Sequence, residues 1–497
     1  MFMNNKKRGL ALSIMAGVAM LLSACGDSDS NESASSHSSG ASAGSKPVEL
    51  VMTYPAFGDV SDLESVQGAI NELAAAKIGA TVKLVPIGVS NYAQQINLML
   101  AGNEKLDLLY ASVWFGMDSQ VAKKQLAPLD DLIRQYGSGI TDSVDAEFLE
   151  AGKVNGKQYG IPSNKAYSLT PSLVMRKDIA DKYGITEASV SGIGDIGPLL
   201  ATIKAKEPSI VPLVSYSLSE TPVNQMLYGD PMGITPGSVP FGSSDLKLQD
   251  VYESKDYADR VAIVNKWYEA GYLSKDVATT QESGPSLLKA GKGFAFIRNI
   301  NDCYSEQLSA GTEVICAPLN APYITRNSVA SNLMSISQNS KNPEMAMKFL
   351  NLLYTDKDIV NLFTNGIEGK HYVKSGDAVI AKPAGQTGTG YDSNQTVVGN
   401  NFLSYVWEGT DPNIWTATKE RNANAVKSQA MGFSFDMDAV KNEITAVSNV
   451  SNQYSLFLET GVSPPEKLQE FVGKLKDAGI EKIIAEKQKQ LDEWLKL

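Results

Sequence analysis

From Pro47 onward the sequence alternates strand-like and helix-like runs, and this alternation restricts the fold more than any other feature. VELVMTYP is β-rich, ESVQGAINELAAAKIG repeats its apolar residues at helical spacing, and TVKLVPIG, YAQQINLMLAG and LDLLYAS continue as strand, helix and strand. Such spacing calls for right-handed βαβ units on a largely parallel sheet. Ligands of such sheets sit beyond the carboxyl ends of the strands.

A second α/β block follows, in PSLVMRKDIADKYGI, IGDIGPLLATIKA, IVPLVSYS, YADRVAIVNKWYEAGYL and GKGFAFIRN. Between them Gly229 to Ser244 is rich in Gly, Pro and Ser and reads as a long loop. VICAPLNAP and SNLMSIS then lead to a helix, NPEMAMKFLNLLYTD, with Asn342 as N-cap and Pro343 in its first turn. The tail from Pro464 is helical. Leu468, Phe471, Val472 and Leu475 share a stripe, a stop falls near Gly479, and Leu491 and Trp494 continue an apolar face. The 497 residues suffice for two or more lobes.

The first 24 residues read as an export leader. Lys6, Lys7 and Arg8 precede an apolar run, Leu10 to Ala24, shorter than the roughly 20 residues a spanning helix needs. Leu22-Ser23-Ala24-Cys25 resembles the lipobox of bacterial lipoproteins, which makes Cys25 the lipid attachment point. The competing reading is an ordinary secretory leader that happens to contain a cysteine. Residues 25–46 contain nine serines and no aliphatic side chain larger than Ala before Pro47 apart from the lysine stem of Lys46, so they form a disordered tether. Twenty such residues reach about 25 Å. The predicted location is the outer face of a Gram-positive-type cell membrane, held by the lipid alone.

Composition removes several function classes. A net charge of −11 argues against a nucleic-acid partner. Of two histidines, His37 lies in the tether, so a zinc site or catalytic triad would rest on His371 alone; a structural histidine is expected there. There is no phosphate loop or HExxH, and the strings GASAG at 40–44 and GIGDIG at 192–197 lie in the serine-rich tether and behind no strand-like run, outside the contexts that a nucleophile elbow or a dinucleotide fingerprint needs. Asp436, Asp438 and Glu443 in FSFDMDAVKNE lack the glycine turn and ligand spacing of an EF-hand. No cofactor, metal or catalytic residue is predicted. A glycan hydrolase needs only two suitably placed carboxylates, and 55 acidic residues keep that alternative open. Cys303 and Cys316 could form one disulfide outside the cell or remain two buried thiols.

The positive signal is aromatic. Sugar rings pack their C–H faces on Trp and Tyr, while their hydroxyls bond to Asn, Asp and Arg. Tyr54 with Asp59 follows the first strand, Trp114 follows LDLLYAS, and Asn164 and Tyr167 follow GKQYGIPS, all where an α/β crevice opens. Any single one of these rings could equally be core packing; their shared placement carries the reading.

The order of LDLLYASVWFGMDSQVAKKQLAPLDDLI, GKVNGKQYGIPSNKAYSLTPSLVMRKDIADKYGI, LLKAGKGFAFI and NPEMAMKFLNLLYTD resembles that of the family 1 extracellular solute-binding proteins of ABC importers, which include the maltodextrin-binding proteins. LFTNGIEGKHY, GFSFDMDAVKNEITAVSNV and LKDAGIEKIIAEKQKQLDEW look like the uncharacterised C-terminal domain of a Gram-positive subset of these lipoproteins. The resemblance implies an α/β, two-lobed, type II periplasmic-binding-protein-like fold with extra C-terminal helices. One lobe would comprise 47–168 and 320–395, the other 169–319 and 396–497, with hinge crossings near Ser163–Pro171 and Pro318–Tyr323. It places ligand contacts at Trp114, Asn164 and Tyr167, and on the late aromatics Tyr405, Trp407 and Trp415. Where maltodextrin binders carry a tryptophan, this chain has Arg298 and Asn299, which favours a more polar or acidic ligand than an α-glucan. The implied function is a monomeric, membrane-anchored receptor that captures an oligosaccharide and passes it to ABC permease subunits. A peptide-binding or sensory lipoprotein of the same fold is the further alternative.

Overall fold

Strand Val48–Ala56 owes its place at the heart of the first sheet to a nearly unbroken buried run from Leu50 to Tyr54. It pairs in parallel with Ala80–Gly88 on one side and Leu108–Ala111 on the other. Helix Leu63–Ile78 makes the first crossover, burying Val66, Ile70 and Ala74 at four-residue spacing and ending at Gly79 with φ 68°. Leu333–Ile336 then adds antiparallel to Leu108–Ala111, and Ile161–Pro162 adds at the edge.

The computed structural model describes residues 46–391, 397 and 399–496. The leader, Cys25, His37 and the tether up to residue 45 lie outside the described residues. No helix among the described residues is long and apolar enough to cross a membrane.

The second sheet has the order Val314–Pro318, Thr170–Arg176, Gly293–Ile300, Val211–Leu213. Each sheet has its own core. The first is drawn from residues between Leu50 and Tyr167 and between Ile324 and Phe363, joined by Tyr391, Val397, Ala425 and Met431. The second takes residues between Leu173 and Leu319 and then Ala430 to Leu491. The tail helices Lys467–Asp477 and Ile480–Trp494 bury the expected stripe, Leu468, Phe471, Val472 and Leu475, and break at Gly479. Asn342 precedes helix Pro343–Thr355 as expected, but its side chain makes no capping bond.

Among the described residues the chain passes between the sheets three times. Two passages, 163–169 and 319–325, overlap the expected Ser163–Pro171 and Pro318–Tyr323; Leu169 and Tyr323 exchange backbone hydrogen bonds of 2.8 and 2.9 Å. The third comes at Val426–Lys427, which runs parallel to Tyr323–Ile324. This corrects the anticipated second-lobe segment 396–497. The 395/396 boundary itself falls outside the described residues, and residues from Gly399 onward still belong with the first lobe. The Gly399 carbonyl accepts from Asn164, Val406–Trp407 pairs with Val379–Ala381, and the second core is joined only from Ala430.

Candidate functional site

A cavity of about 1100 Å³ opens where the crossings meet both lobes. Trp114 and Asn327 border it from the first lobe, Lys165 and Tyr323 from the crossings, and Tyr228 and Asn299 from the second lobe. Its volume is at the upper end for small-molecule sites, enough for several linked rings. Trp114 sits on a single turn, its own backbone N–H donating to Ser112 Oγ at 3.1 Å, and 59 % of it is exposed. Tyr228, Phe241 and Tyr323 form a ring cluster with centroids 4.9 to 5.8 Å apart.

Polar capacity is also in place. Asn299 is oriented by Gln225, whose Oε1 accepts from the Asn299 backbone N–H at 2.9 Å and from Nδ2 at 3.0 Å. That leaves Asn299 Oδ1 without a protein partner, as are Asn327 Oδ1 and Thr235 Oγ1 on the same cavity. Each of the three atoms is closed to solvent in this structure, so a donor reaches it only if the cavity wall shifts. Two cations of the cavity wall are neutralised locally, Lys255 by Asp259 and Arg260 by Asp256, both at 2.6 Å. Lys165 has no carboxylate within ion-pair distance among the described residues, and burial pulls its ammonium down to about 8.

A second cavity of about 760 Å³ shares Lys165, Ala166 and Asn301 with the first. Trp407, Trp415, Asp302, Leu308 and Glu408 border it. Trp415 is fixed by its Nε1–H bond to the Ser404 carbonyl at 2.8 Å.

The structure brings together Trp114, Tyr167 and Asn299 at the first cavity and Trp407 and Trp415 at the second. Tyr167 is fully buried, its hydroxyl donating to the Ser163 carbonyl at 2.8 Å and its ring 4.7 Å from Phe148, so it shapes the wall rather than offering a free face. Five expected contacts border neither cavity. Tyr54 is inside its strand, facing the core with its ring 5.1 Å from Phe363. Asp59 is exposed and accepts from the Ser61 N–H. Asn164 spends its amide on the Ser143 carbonyl. Tyr405 is buried against Tyr372, with its backbone N–H bonded to Asn361. The Arg298 guanidinium lies 3.8 Å over Tyr216, bonded to Glu306 at 2.8 Å and Glu220 at 3.4 Å, so its charge is paired within the protein.

Other residues find structural employment. His371 Nδ1 accepts from the Ile367 N–H at 2.8 Å, which leaves Nε2 as the nitrogen facing Asp62 at 3.2 Å. Asp436 caps the turn at Asp438, and Glu443 pairs with Lys482. Cys303, at the start of a helix, is disulfide-bonded to Cys316 on the adjacent strand.

Two residues that pattern reading passed over organise the site. Asn422 reaches the first crossing: its Oδ1 accepts from the N–H groups of Tyr167 and Ser168 at 3.0 and 3.1 Å, and its Nδ2 donates to the Lys165 carbonyl at 2.8 Å. Lys487 is fully buried, its amine directed at the carbonyls of Pro231, Thr235, Pro236 and Gly237. The sequence carries a trace of the second: Lys487 interrupts the stripe of Ile480, Ile483 and Leu491 at helical spacing. Asn422 carries no such mark.

Known proteins resemble the chain along most of its length. A family model described as bacterial extracellular solute-binding protein matches residues 68–367, and a domain of unknown function matches residues 429–496. A carbohydrate ABC transporter substrate-binding protein of Streptococcus pneumoniae serotype 4 (strain ATCC BAA-334 / TIGR4) is 29% identical over 507 residues, spanning 99% of each chain. Lipoprotein LipO of Bacillus subtilis (strain 168) is 22% identical over 397 residues, 74% of each. The crystal structure of the N-glycan transport solute binding protein NgtS from Streptococcus pneumoniae superposes with a TM-score of 0.80 at 25% identity, covering 90% of this chain and 99% of the other. Its complex with Man5GlcNAc superposes at 0.69 and 26% identity, covering 90% and 99%.

Proposed function

Since the chain belongs to the bacterial extracellular solute-binding protein family, we propose that it is a receptor that captures an oligosaccharide by hinge closure and delivers it to an ABC permease, without acting chemically on it. The carrying observation is the cavity of about 1100 Å³ at the first two crossings, which combines an exposed tryptophan with asparagine and serine side chains on its wall. An aromatic face for C–H surfaces and acceptors for hydroxyls are the two requirements of a sugar ring. Relatives support the same reading: the pneumococcal carbohydrate transporter protein aligns from end to end, and NgtS is crystallised with Man5GlcNAc.

The receptor works as a monomer on the outer face of the membrane, held through lipid on Cys25 by the serine-rich tether. Replacing Cys25 with Ser then releases it into the medium. The receptor itself is tested by thermal melting and small-angle scattering of residues 46–497 with a glycan panel that includes Man1GlcNAc and Man5GlcNAc. A bound glycan at 100 times its Kd adds about 2.7 kcal/mol to stability and compacts the particle. A panel that moves neither quantity, or a polysaccharide cleaved on incubation, overturns the reading.

A further inference from the structure

We infer that the C-terminal domain, residues 429–496, is a working part of the ligand site: one of its helices forms a wall of the cavity, and Lys487 on another fixes the loop that meets the opposite lobe. The inference rests on the glycan reading of that cavity and gives a role to the segment matched only as a domain of unknown function.

Three connected observations carry it. Helix Lys441–Glu459 places Ser448, Ser451 and Asn452 on the cavity, with Ser448 and Asn452 exposed at a four-residue spacing that puts both on one face. The same helix is anchored to the second lobe by Glu459, whose buried carboxylate accepts from Thr221 Oγ1 at 2.6 Å and Tyr257 Oη at 3.0 Å. This wall therefore cannot move independently of the lobe.

The loop after Asp230 is the second observation. Its backbone is irregular, with φ of 46° at Met232, 114° at Gly233 and 99° at Gly237, and such a loop cannot satisfy its own carbonyls in a ladder. Lys487 supplies the missing donors, 2.6 Å from the Pro231 carbonyl and 3.3 to 3.4 Å from those of Thr235, Pro236 and Gly237. The charged groups around the amine are few: buried Asp230, whose Oδ1 is taken by the Met232 N–H, is the carboxylate that acts on it.

The third is where the loop leads. The Gly233 carbonyl accepts from Asn327 Nδ2 at 3.0 Å, and Asn327 belongs to the first lobe. Ile234 beside it is 54 % exposed on the cavity. A path of direct contacts thus runs from Lys487 through the loop to the opposing lobe, along the cavity's edge. Fixing the loop in the ligand-free protein removes an ordering cost from binding.

The experiment uses hydrogen exchange and calorimetry on residues 46–497 with Lys487→Met, which keeps the stem and removes the donors, and Asn452→Trp, which fills the wall from an exposed position and leaves folding intact. Man5GlcNAc and Man1GlcNAc are the probes. In Lys487→Met, amides of residues 232–238 are expected to exchange about tenfold faster or more while those of Val48–Ala56 stay protected. Affinity for Man5GlcNAc should fall about tenfold in each variant, with an unchanged melting temperature in Asn452→Trp. Unchanged loop exchange, or unchanged affinity in both variants, overturns the inference although wild type binds. Wild type that binds neither probe nor any panel glycan brings down the glycan reading itself, and the inference with it.

Discussion

The two lobes solve the same packing problem with different resources. The first closes its core with the strands and helices that alternate from Pro47 and those that return after Ile324. The second sheet has four strands and completes its core only with Phe433, Leu458, Phe471, Leu475, Ile483 and Leu491 from the chain's last seventy residues. One lobe is thus an α/β layer stack that takes only Met431 from the C-terminal domain, and the other is finished by a segment that also walls the ligand cavity. Stability and recognition are separable in the first lobe and joined in the second.

The largest test of that contrast is a matched pair of truncations. Phe349→Ala in the first lobe and Phe471→Ala in the tail both empty fully buried sites, and each should cost about 3–5 kcal/mol in denaturant unfolding. Hydrogen exchange distinguishes them: Phe471→Ala should deprotect Gly293–Ile300 in the second sheet and leave Val48–Ala56 protected. Equal deprotection of both sheets would show that the lobes share one cooperative unit. Next in size is the disulfide. Cys303 and Cys316 are 13 residues apart, and a loop of that order is worth about 3 kcal/mol. The Cys303→Ser, Cys316→Ser double variant should lose that amount, again in the second lobe.

Much of this architecture was readable beforehand, and the limits have physical causes. Periodicity located the first-lobe strands and the tail stripe because each buries one continuous face. It did not reveal that residues 399–424 stay with the first lobe, since their ties are single polar contacts such as Asn401 N–H to the Asn164 carbonyl. Tyr54 was misplaced because the strand extends to Ala56, two residues past it, and pleating turns its side chain inward. Arg298 borders neither cavity and is held by Glu220 and Glu306, which are remote in pattern though close in space. Trp114, singled out for its place after a strand, borders the first cavity with its ring largely exposed.

Asn422 tests the junction between the lobes. Asn422→Ala removes three hydrogen bonds from the Lys165–Ser168 crossing and leaves buried backbone groups unpaired, at about 1–3 kcal/mol. Its loss should also alter glycan affinity through the crossing, whereas Phe349→Ala alters stability alone. Calorimetry on the two variants sharpens the separation of roles.

Lys487 adds a pH signature confined to the second lobe. Burial lowers its amine from 10.5 to about 7. Between those values the unfolded chain holds a proton that the folded chain has released, so the group's contribution to stability rises with pH there. Below about 7 both states are protonated and the contribution is flat. Wild type minus Lys487→Met should therefore become more favourable from about pH 7 to 10.5, by at most about 1.4 kcal/mol per unit. A flat difference would mean that the four carbonyls hold the amine charged throughout.

The smallest expected effect returns to the first lobe and tests whether its strand ends matter for recognition. Asp59 is exposed, borders neither cavity, and its recorded bond is to the Ser61 N–H in its own turn. Asp59→Ala should change stability by no more than about 0.5 kcal/mol and leave glycan affinity within about twofold. Trp114→Ala, on the same lobe at the cavity's edge, removes an exposed ring from the binding surface and should weaken glycan binding measurably. If Asp59→Ala weakens binding as much as Trp114→Ala, the first lobe contacts ligand well beyond the crossings, and its recognition role is as extended as that of the second.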